Sequence, residues 1–252
     1  MTESIHDLVA LSNTIGSREW DCAILGEGNT SLGHADGTFH VKGSGCSLGT
    51  MGADDFVHLQ REPILQLLDE DVVDEARLKQ VYQEAKVDPD HPRRPSVETV
   101  LHALLLSYPG VNAVAHTHAT AVNMLLCTAD WRSHLQGRLC PDEAVVLGRD
   151  SVFVEYVDPG VELAKAMRAA VDGYIARHQE RPKVIYMQNH GPIAVGASCR
   201  EAQQIVEMTV KAARMRLGAI QAGGINPLDP TIVDHLLARP DEHYRQRALA
   251  GA

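Results

Sequence analysis

The chain has 252 residues, of which 33 are acidic and 23 are basic, and its formal net charge is −10. This negative excess argues against a nonspecific nucleic-acid partner, because such binding depends on lysine and arginine neutralising phosphates. An aromatic content of 4% also leaves few side chains for base stacking. A hydrophobic content of 44% is that of a globular protein, and 13 histidines are unusually many for this length.

The amino-terminal segment and the cysteines indicate the compartment. The first seven residues include two acidic side chains and lack the basic-then-apolar pattern of a signal peptide. No apolar run reaches the roughly 18 residues that a membrane span needs. The five scattered cysteines, an odd number, do not resemble a disulfide framework. We therefore expect a cytoplasmic protein with no membrane partner.

The first half of the chain alternates predicted helices and strands with two glycine-rich turns, 26–31 and 42–45. The segment 88–95 contains three prolines and is predicted to be a loop. Ser96 follows this loop in the position of a helix N-cap. The predicted elements are a helix at 4–17, a strand at 38–42, a helical stretch at 61–87 and a helix at 97–108.

The second half contains shorter strands and two long helices. Predicted strands lie at 111–118, 145–147, 152–157, 183–187 and 192–195, and predicted helices lie at 121–127, 161–178, 199–221 and 232–237. Short turns between strands favour one α/β domain with a mixed or antiparallel central sheet covered by helices. We assign residues 1–225 to this domain. Residues 226–252 form a polar C-terminal tail, which is either a solvated helix or a lid over an anionic substrate.

Three histidines are candidate metal ligands. His116 and His118 are separated by one residue at the end of a predicted strand, where alternate side chains share a face. Such a pair is equally consistent with a metal site and with two hydrogen-bonded structural histidines. His190 ends another apolar strand and precedes a glycine. Three histidines from two strand ends fit a catalytic zinc site, in which three protein ligands leave a position for substrate.

The remaining candidates are weaker when each is taken alone. Glu98 lies in the first turn of its predicted helix, where acidic side chains commonly interact with the helix dipole. The two glycine-rich turns either are ordinary turns or donate backbone N–H groups to a phosphate, with Lys42 adding positive charge. Neither turn matches a P-loop or a Rossmann fingerprint. The segment 45–49 matches the Gly-x-Ser-x-Gly pattern of serine hydrolases, and Cys46 is a less favoured nucleophile because no base can be assigned to it.

Five short motifs occur in order: Gly-Asn-Thr-Ser, Lys-Gly-Ser-Gly, Ser-Val-Glu, His-Thr-His and Asn-His-Gly. Together, over roughly residues 5–220, the chain resembles the class II aldolase/adducin family. The resemblance implies a three-layer α/β/α sandwich with a mostly antiparallel sheet, assembled as a homotetramer with active sites between subunits. It places the metal ligands at His116, His118 and His190 and the acid/base carboxylate at Glu98. The implied phosphate-binding positions are Gly28, Asn29, Ser44, Gly45 and Ser96.

Two positions depart from the family pattern. Val97 stands where many phosphate-binding members have a second serine, which removes one hydroxyl donor. The catalytic tyrosine of the aldolases, which a neighbouring subunit provides, falls near 141–143, where this chain has no tyrosine. Asp142, or Tyr244 from the tail, is the candidate replacement.

The predicted activity is that of a metal-dependent aldolase, a carbon–carbon lyase that cleaves a ketose phosphate or a related hydroxyketone through a metal-stabilised enediolate. The expected ion is Zn²⁺, with Mn²⁺ or Co²⁺ as alternatives. Decarboxylation of a 3-keto sugar-acid phosphate and 4-epimerisation of a sugar phosphate pass through the same kind of intermediate. Family epimerases tend to carry aspartate at the position of Glu98, which disfavours epimerisation. A non-catalytic, adducin-like interaction module is disfavoured because all three histidines are present.

Overall fold

The computed structural model of the protein describes residues 3–241, and a seven-stranded sheet lies at its centre. The strands are β1 Asn29–Gly33, β2 Thr38–Lys42, β3 Phe56–Gln60, β4 Ala113–His116, β5 Val152–Val154, β6 Val184–Met187 and β7 Gly191–Gly196. Their order across the sheet is β3-β2-β1-β4-β7-β6-β5. Every neighbouring pair is antiparallel except β5 and β6, which are parallel. The prediction of a mostly antiparallel α/β sheet is confirmed.

Helices connect and cover the strands. The α-helices are α1 Ile5–Ile15, α2 Arg61–Gln66, α3 Glu75–Glu84, α4 Thr99–Leu105, α5 Thr120–Leu126, α6 Trp131–Leu135, α7 Pro141–Leu147, α8 Val161–His178, α9 Cys199–Gln221 and α10 Pro230–Ala238. Short 3-10 turns lie at Leu48–Thr50, Ala53–Asp55 and Leu67–Asp69. None of the helices between residues 3 and 241 has the length and apolar character needed to cross a membrane.

The sheet is buried on both faces, because successive side chains of its inner strands enter two different cores. In β6, Ile185 and Met187 pack into one core, whereas Val184 and Tyr186 pack into the other. The first core also contains side chains of α2, α3, α4 and α8, and the second contains side chains of α1, α5 and α9. Strands buried on both faces have continuous apolar sequences, as β6 does. The result is the expected three-layer α/β/α sandwich.

The register of the central strands determines where the candidate site lies. Asn29, the first residue of β1, is paired with His116, the last residue of β4. His116 is paired in turn with Ile193 of β7. The turn between β6 and β7 contains His190. The start of β1, the end of β4 and the start of β7 therefore meet at the same end of the central strands.

Several sequence-based boundaries were wrong. The segment 145–147 is not a strand but the end of α7, which begins with Pro141 at its first position, where proline is favoured. The stretch 61–87 is interrupted between α2 and α3, and α3 begins after Asp74, whose carboxylate accepts a hydrogen bond from the Arg77 N–H at 2.7 Å. The strands β1 and β3 and the helix α6 were not predicted.

The C-terminal segment is only partly described. Val233 and Leu236 of α10 pack against Ala144 of α7 in a small apolar cluster. The division of the chain at residue 225 and the lid hypothesis remain predictions. Tyr244 lies outside the described residues.

Candidate metal centre

The three predicted metal ligands converge where the ends of the central strands β1, β4 and β7 meet. His116 Nε2 lies 3.0 Å from His118 Nε2. The ring centroids of His116 and His118 lie 4.8 and 5.2 Å from that of His190. One candidate ligand atom from each residue lies within 4.8 Å of the others. The strand ends after His116, and the His118 N–H donates to the Cys22 carbonyl at 2.9 Å. His118 therefore reaches the cluster from a loop, not from the predicted strand.

Gly191 makes this convergence possible. A Cβ at Gly191 would lie 2.2 Å from the Thr117 carbonyl oxygen and 3.1 and 3.2 Å from ring carbons of His116 and His118. The preceding turn contains Asn189 in the left-handed region, with φ of 52°. Asparagine tolerates this conformation better than most residues. The Asn-His-Gly sequence therefore allows His190 to approach the other two histidines closely.

Hydrogen bonding sets the ring orientation of His116. Its Nδ1 lies 3.1 Å from the Pro192 carbonyl oxygen, which can only accept, so Nδ1 carries the proton and the Nε2 lone pair is free. Burial lowers the pKa of His116 to about 3, so its ring is neutral at pH 7. Burial also lowers the pKa of His190. Neutral imidazoles are the form that binds metal ions.

Glu98 faces the same point. Its Oε2 lies 3.5 Å from His116 Nε2, and its Oε1 lies 3.3 Å from His190 Nε2. Burial opposes ionisation of Glu98, but the neighbouring imidazoles and the Asn29 amide outweigh it and hold the pKa at about 2. Glu98 Oε1 and His190 Nδ1 are buried and have no hydrogen-bond partner within the described residues. The site thus presents a carboxylate beside three imidazoles.

This donor set fits a divalent metal ion. His116, His118 and His190 would hold the ion through neutral ring nitrogens, and the unpartnered Glu98 Oε1 beside them would interact favourably with a cation. Imidazole nitrogens suit zinc and other late first-row ions.

A buried chain of polar side chains supports Glu98 from behind. Asn29 Nδ2 donates to Glu98 Oε2 at 2.7 Å, so its Oδ1 faces His102 Nε2, with which it makes a close hydrogen bond. Because Asn29 Oδ1 can only accept, His102 Nε2 carries the proton and Nδ1 accepts from the Ser31 hydroxyl at 2.6 Å. Ser31, His102 and Asn29 therefore form a hydrogen-bonded chain that fixes the orientation of Glu98.

The predicted phosphate-binding positions adjoin this carboxylate. The Ser44 N–H donates to the Arg94 carbonyl at 2.8 Å, and the Ser96 N–H donates to the Lys42 carbonyl at 3.0 Å. These bonds join the turn containing Ser44 and Gly45, both exposed, to the segment that precedes Glu98. Asn29 Nδ2 lies 3.3 Å from the buried Ser96 hydroxyl.

Val97 and Gly28 complete this side of the site. Val97 is 59% exposed at the position where many family members have a serine. The helix α4 begins at Thr99 rather than at 97, so Ser96 and Val97 lie in the turn before the helix. Gly28 has φ of 64°, and a Cβ there would lie 2.7 Å from the His116 carbonyl oxygen. Gly28 is therefore needed for the close approach of this loop to β4.

Lys42 does not have the role expected from the sequence. It is 3% exposed, and its Nζ donates to the carbonyl oxygens of Gly26 at 2.6 Å and Gly28 at 2.7 Å. A longer contact of 3.5 Å reaches the Glu27 carbonyl. These carbonyls occupy the ammonium hydrogens, so Lys42 shapes the 26–28 loop instead of presenting its charge to a phosphate.

Asp142 lies in the first turn of α7, and its role as a replacement for the family tyrosine stays a prediction. The two nucleophile alternatives are not supported. The Gly-x-Ser-x-Gly segment 45–49 ends in a three-residue 3-10 turn, Leu48–Thr50, and not in the α-helix that a nucleophile elbow requires. Burial raises the pKa of the Cys46 thiol, which disfavours a thiolate nucleophile. The serine-hydrolase and cysteine-nucleophile alternatives therefore fail.

Sequence reasoning missed three side chains near the centre. Glu27 Oε1 lies 3.8 Å from His118 Nδ1, Asn123 Nδ2 donates to the His190 carbonyl at 3.0 Å, and His102 is fully buried behind Asn29. Glu27, His118 and Asn123 line a cleft of about 470 Å³. Glu27 could have been found from its place in the first glycine-rich turn. The other two lie on helix faces whose sequence shows only apolar periodicity.

An α/β/α sandwich that brings three histidines and a glutamate together at one end of its sheet is typical of a class of metal-site domains that includes the class II aldolases. The family described as "Class II Aldolase and Adducin N-terminal domain" matches residues 6–217 of this chain. The chain belongs to this family. The recognition made from the five sequence motifs is confirmed.

Individual relatives agree with this assignment. The N-terminal class II aldolase domain of a conserved protein from Thermoplasma acidophilum is 26% identical, with a TM-score of 0.66 over 86% of this chain and 95% of that one. An L-fuculose 1-phosphate aldolase is 18% identical, with a TM-score of 0.69 over 96% of this chain and 95% of that one, and this likeness concerns the fold. "Uncharacterized oxidoreductase YuxG" from Bacillus subtilis (strain 168) is 31% identical over 212 residues, 81% of this chain. This chain spans 28% of the length of that relative.

Proposed function

We propose that this protein is a metal-dependent aldolase that cleaves a ketose phosphate or a related hydroxyketone. The observation that carries the proposal is the position of the Glu98 carboxylate, 3.3 and 3.5 Å from nitrogens of His190 and His116. A base that stands beside a metal centre can move a proton on a substrate bound there.

His116, His118 and His190 would hold the ion, which we propose to be Zn²⁺, with Mn²⁺ or Co²⁺ as alternatives. When bound, such an ion polarises a carbonyl oxygen and stabilises the negative charge of an enediolate. Glu98 is the proton carrier. Its Oε2 accepts from Asn29, whereas its Oε1 has no described partner and remains available to the substrate. In retro-aldol cleavage the Glu98 carboxylate would take the proton of the hydroxyl group that becomes the aldehyde, and it would then return this proton to the enediolate that remains.

The donors around Glu98 support an anionic substrate. Ser44 and Gly45 are exposed in a turn that is hydrogen-bonded to the segment before Glu98. Asn29 contacts both the Ser96 hydroxyl of that segment and the Glu98 carboxylate. Because the Ser44 N–H donates to the Arg94 carbonyl, the Ser44 hydroxyl and the Gly45 N–H would be the phosphate donors in this turn. Val97 provides no hydroxyl, so the phosphate would be held by fewer donors than in the typical family pattern.

The same intermediate serves other reactions of the scaffold. Decarboxylation of a 3-keto sugar-acid phosphate would release CO₂ in place of an aldehyde, and 4-epimerisation would release neither. Glu98 in place of aspartate disfavours epimerisation. An adducin-like interaction module would not need three imidazoles and a carboxylate at one point. The name of the Bacillus relative describes a much longer chain, so it does not define the chemistry of this domain.

We further propose a homotetramer in the cytoplasm, with the cleft beside His118 at a subunit boundary. Ile24 and Met124 line this cleft and are 62% and 57% exposed. Apolar side chains at such a rim are typical of a surface that a second subunit covers. Tyr244 or Asp142 of a neighbouring subunit would then take the place of the family's catalytic tyrosine. Sedimentation of the purified protein as a single-chain species would contradict this assembly.

The reaction is tested with a substrate panel. The metal-loaded enzyme is incubated with ketose 1-phosphates, their unphosphorylated ketoses and 3-keto sugar-acid phosphates, and aldehyde and CO₂ are both measured. Aldehyde release that is lost on chelation and in His118→Ala supports the aldolase. CO₂ without aldehyde would assign the decarboxylase instead. Activity that persists in His118→Ala after chelation would contradict a metal centre at these histidines.

A further inference from the structure

A second group of three histidines lies on the outer strands of the sheet and plays no part in the site described above. His40 of β2 and His58 of β3 are directly paired across the two strands, and His34 lies in the turn between β1 and β2. We call these three residues the edge histidine cluster. All three are half-buried, so an ion from solvent can reach them.

The three rings are in direct contact. His34 Nε2 lies 2.7 Å from His40 Nδ1, and the rings of His40 and His58 stack with centroids 4.2 Å apart. The centroid of His34 lies 5.5 Å from that of His58. One candidate ligand atom from each residue lies within 4.8 Å of the others. A tetrahedral ion with bonds of about 2.1 Å needs nitrogens about 3.4 Å apart, so the site closes when side-chain rotations unstack His40 from His58 and bring the ring nitrogens together.

A hydrogen-bonded chain fixes the tautomer of His58. The Thr38 hydroxyl lies 2.7 Å from Asp36 Oδ1, a carboxylate oxygen that only accepts, so the hydroxyl proton is committed to Asp36. Thr38 Oγ1 must then accept from His58 Nε2, which lies 2.8 Å away. His58 Nε2 therefore carries the proton, and the lone pair of Nδ1 is exposed to a ligand. Outer hydrogen bonds of this carboxylate-linked kind orient histidine ligands in metal sites.

We propose that the edge histidine cluster binds a divalent transition-metal ion of the kind that prefers imidazole, such as Zn²⁺, Ni²⁺ or Cu²⁺. His34, His40 and His58 are the ligands, and a fourth position stays open to water. The proton that His34 Nε2 and His40 Nδ1 now share moves to the other nitrogen of its own ring when the ion takes its place, so both ligands remain neutral imidazoles. The bound ion fastens the β1–β2 turn to β3 and is separate from the centre at His116.

The number of bound ions tests the proposal independently of the catalytic one. Protein stripped with a chelator is titrated with Zn²⁺ and the bound equivalents are measured by equilibrium dialysis. We expect two equivalents for the wild type and one each for His58→Gln and His118→Ala. The control His235→Gln, an exposed histidine on α10, is expected to keep two. His34→Gln, in the turn, replaces His58→Gln if that variant does not fold.

The outcomes separate the two sites. A single equivalent that is lost in His58→Gln and kept in His118→Ala would support the edge site and contradict the proposed centre at His116. A single equivalent that is kept in both His58→Gln and His34→Gln would overturn the edge site.

The hydrogen-bonded chain gives a second, finer test. Thr38→Val removes the hydroxyl that holds the His58 tautomer and is expected to weaken Zn²⁺ binding at the edge site by about 10- to 100-fold. Thr38→Ser keeps the hydroxyl and is expected to restore it. Binding that is equally tight in Thr38→Val and the wild type would overturn the assignment of His58 Nδ1 as a ligand.

Discussion

His102, in the buried hydrogen-bonded chain behind Glu98, is expected to lower the unfolding free energy of the protein in acid. His102 is completely buried, and its neutral ring donates to Asn29 and accepts from Ser31. Burial lowers its pKa from 6.5 to about 4. The unfolded chain therefore binds a proton more readily than the folded one between these values, and stability falls as pH falls.

The magnitude follows from the two pKa values. The contribution is fully present above pH 6.5 and is lost as pH falls through about 4. At about pH 5 the loss from this one residue is about 2 kcal/mol, since each pKa unit corresponds to about 1.4 kcal/mol. His102→Gln tests the assignment, because an amide can donate to Asn29 and accept from Ser31 without titrating.

The assay is urea unfolding of wild type and variant at about pH 7.5 and about pH 5. We expect the drop in unfolding free energy between the two conditions to be about 2 kcal/mol smaller in His102→Gln than in the wild type. The control His235→Gln changes an exposed histidine and is expected to keep the wild-type drop. An identical drop in His102→Gln and the wild type would refute the buried neutral state of His102.

Two further substitutions test local geometry. Gly191→Ala places a Cβ 2.2 Å from the Thr117 carbonyl oxygen, so thermal unfolding should show a loss of about 3 kcal/mol. The matched control Gly173→Ala, a position on α8 with nothing within 4 Å, should gain about 0.5–1 kcal/mol, and equal effects would contradict the close approach. Lys42→Met removes the donor to the Gly26 and Gly28 carbonyls and should cost about 2 kcal/mol, with faster hydrogen exchange in residues 26–28. Unchanged stability with a raised KM would instead return Lys42 to direct substrate contact.

Short sequence motifs and apolar runs correctly predicted the histidine cluster and three of the central strands. The His-Thr-His and Asn-His-Gly motifs lie at strand ends, and the structure brings their histidine side chains together at one end of the central strands. Apolar runs identified β4, β6 and β7 because these strands are buried on both faces.

Other features depend on tertiary contacts that the sequence pattern does not record. Residues 145–147 are apolar and β-branched in part, but Pro141 begins a helix whose buried Ala144 packs against α10. The strand β1 was not predicted because its sequence is polar. Its polar side chains are nevertheless buried, and hydrogen bonds such as that between Ser31 and His102 satisfy them. Lys42 was expected to add positive charge for a phosphate, yet its stem is buried and its ammonium group donates to backbone carbonyls.

The most direct test of the proposed chemistry is to measure bound metal and turnover together in Glu98→Gln. This substitution keeps the size of the side chain but removes its charge and its capacity as a base. We predict that the variant retains the metal equivalent that His118→Ala loses, while turnover of the substrate found by the panel falls by at least about 100-fold. Wild-type turnover in a metal-loaded Glu98→Gln protein would contradict the role of Glu98 as the proton carrier.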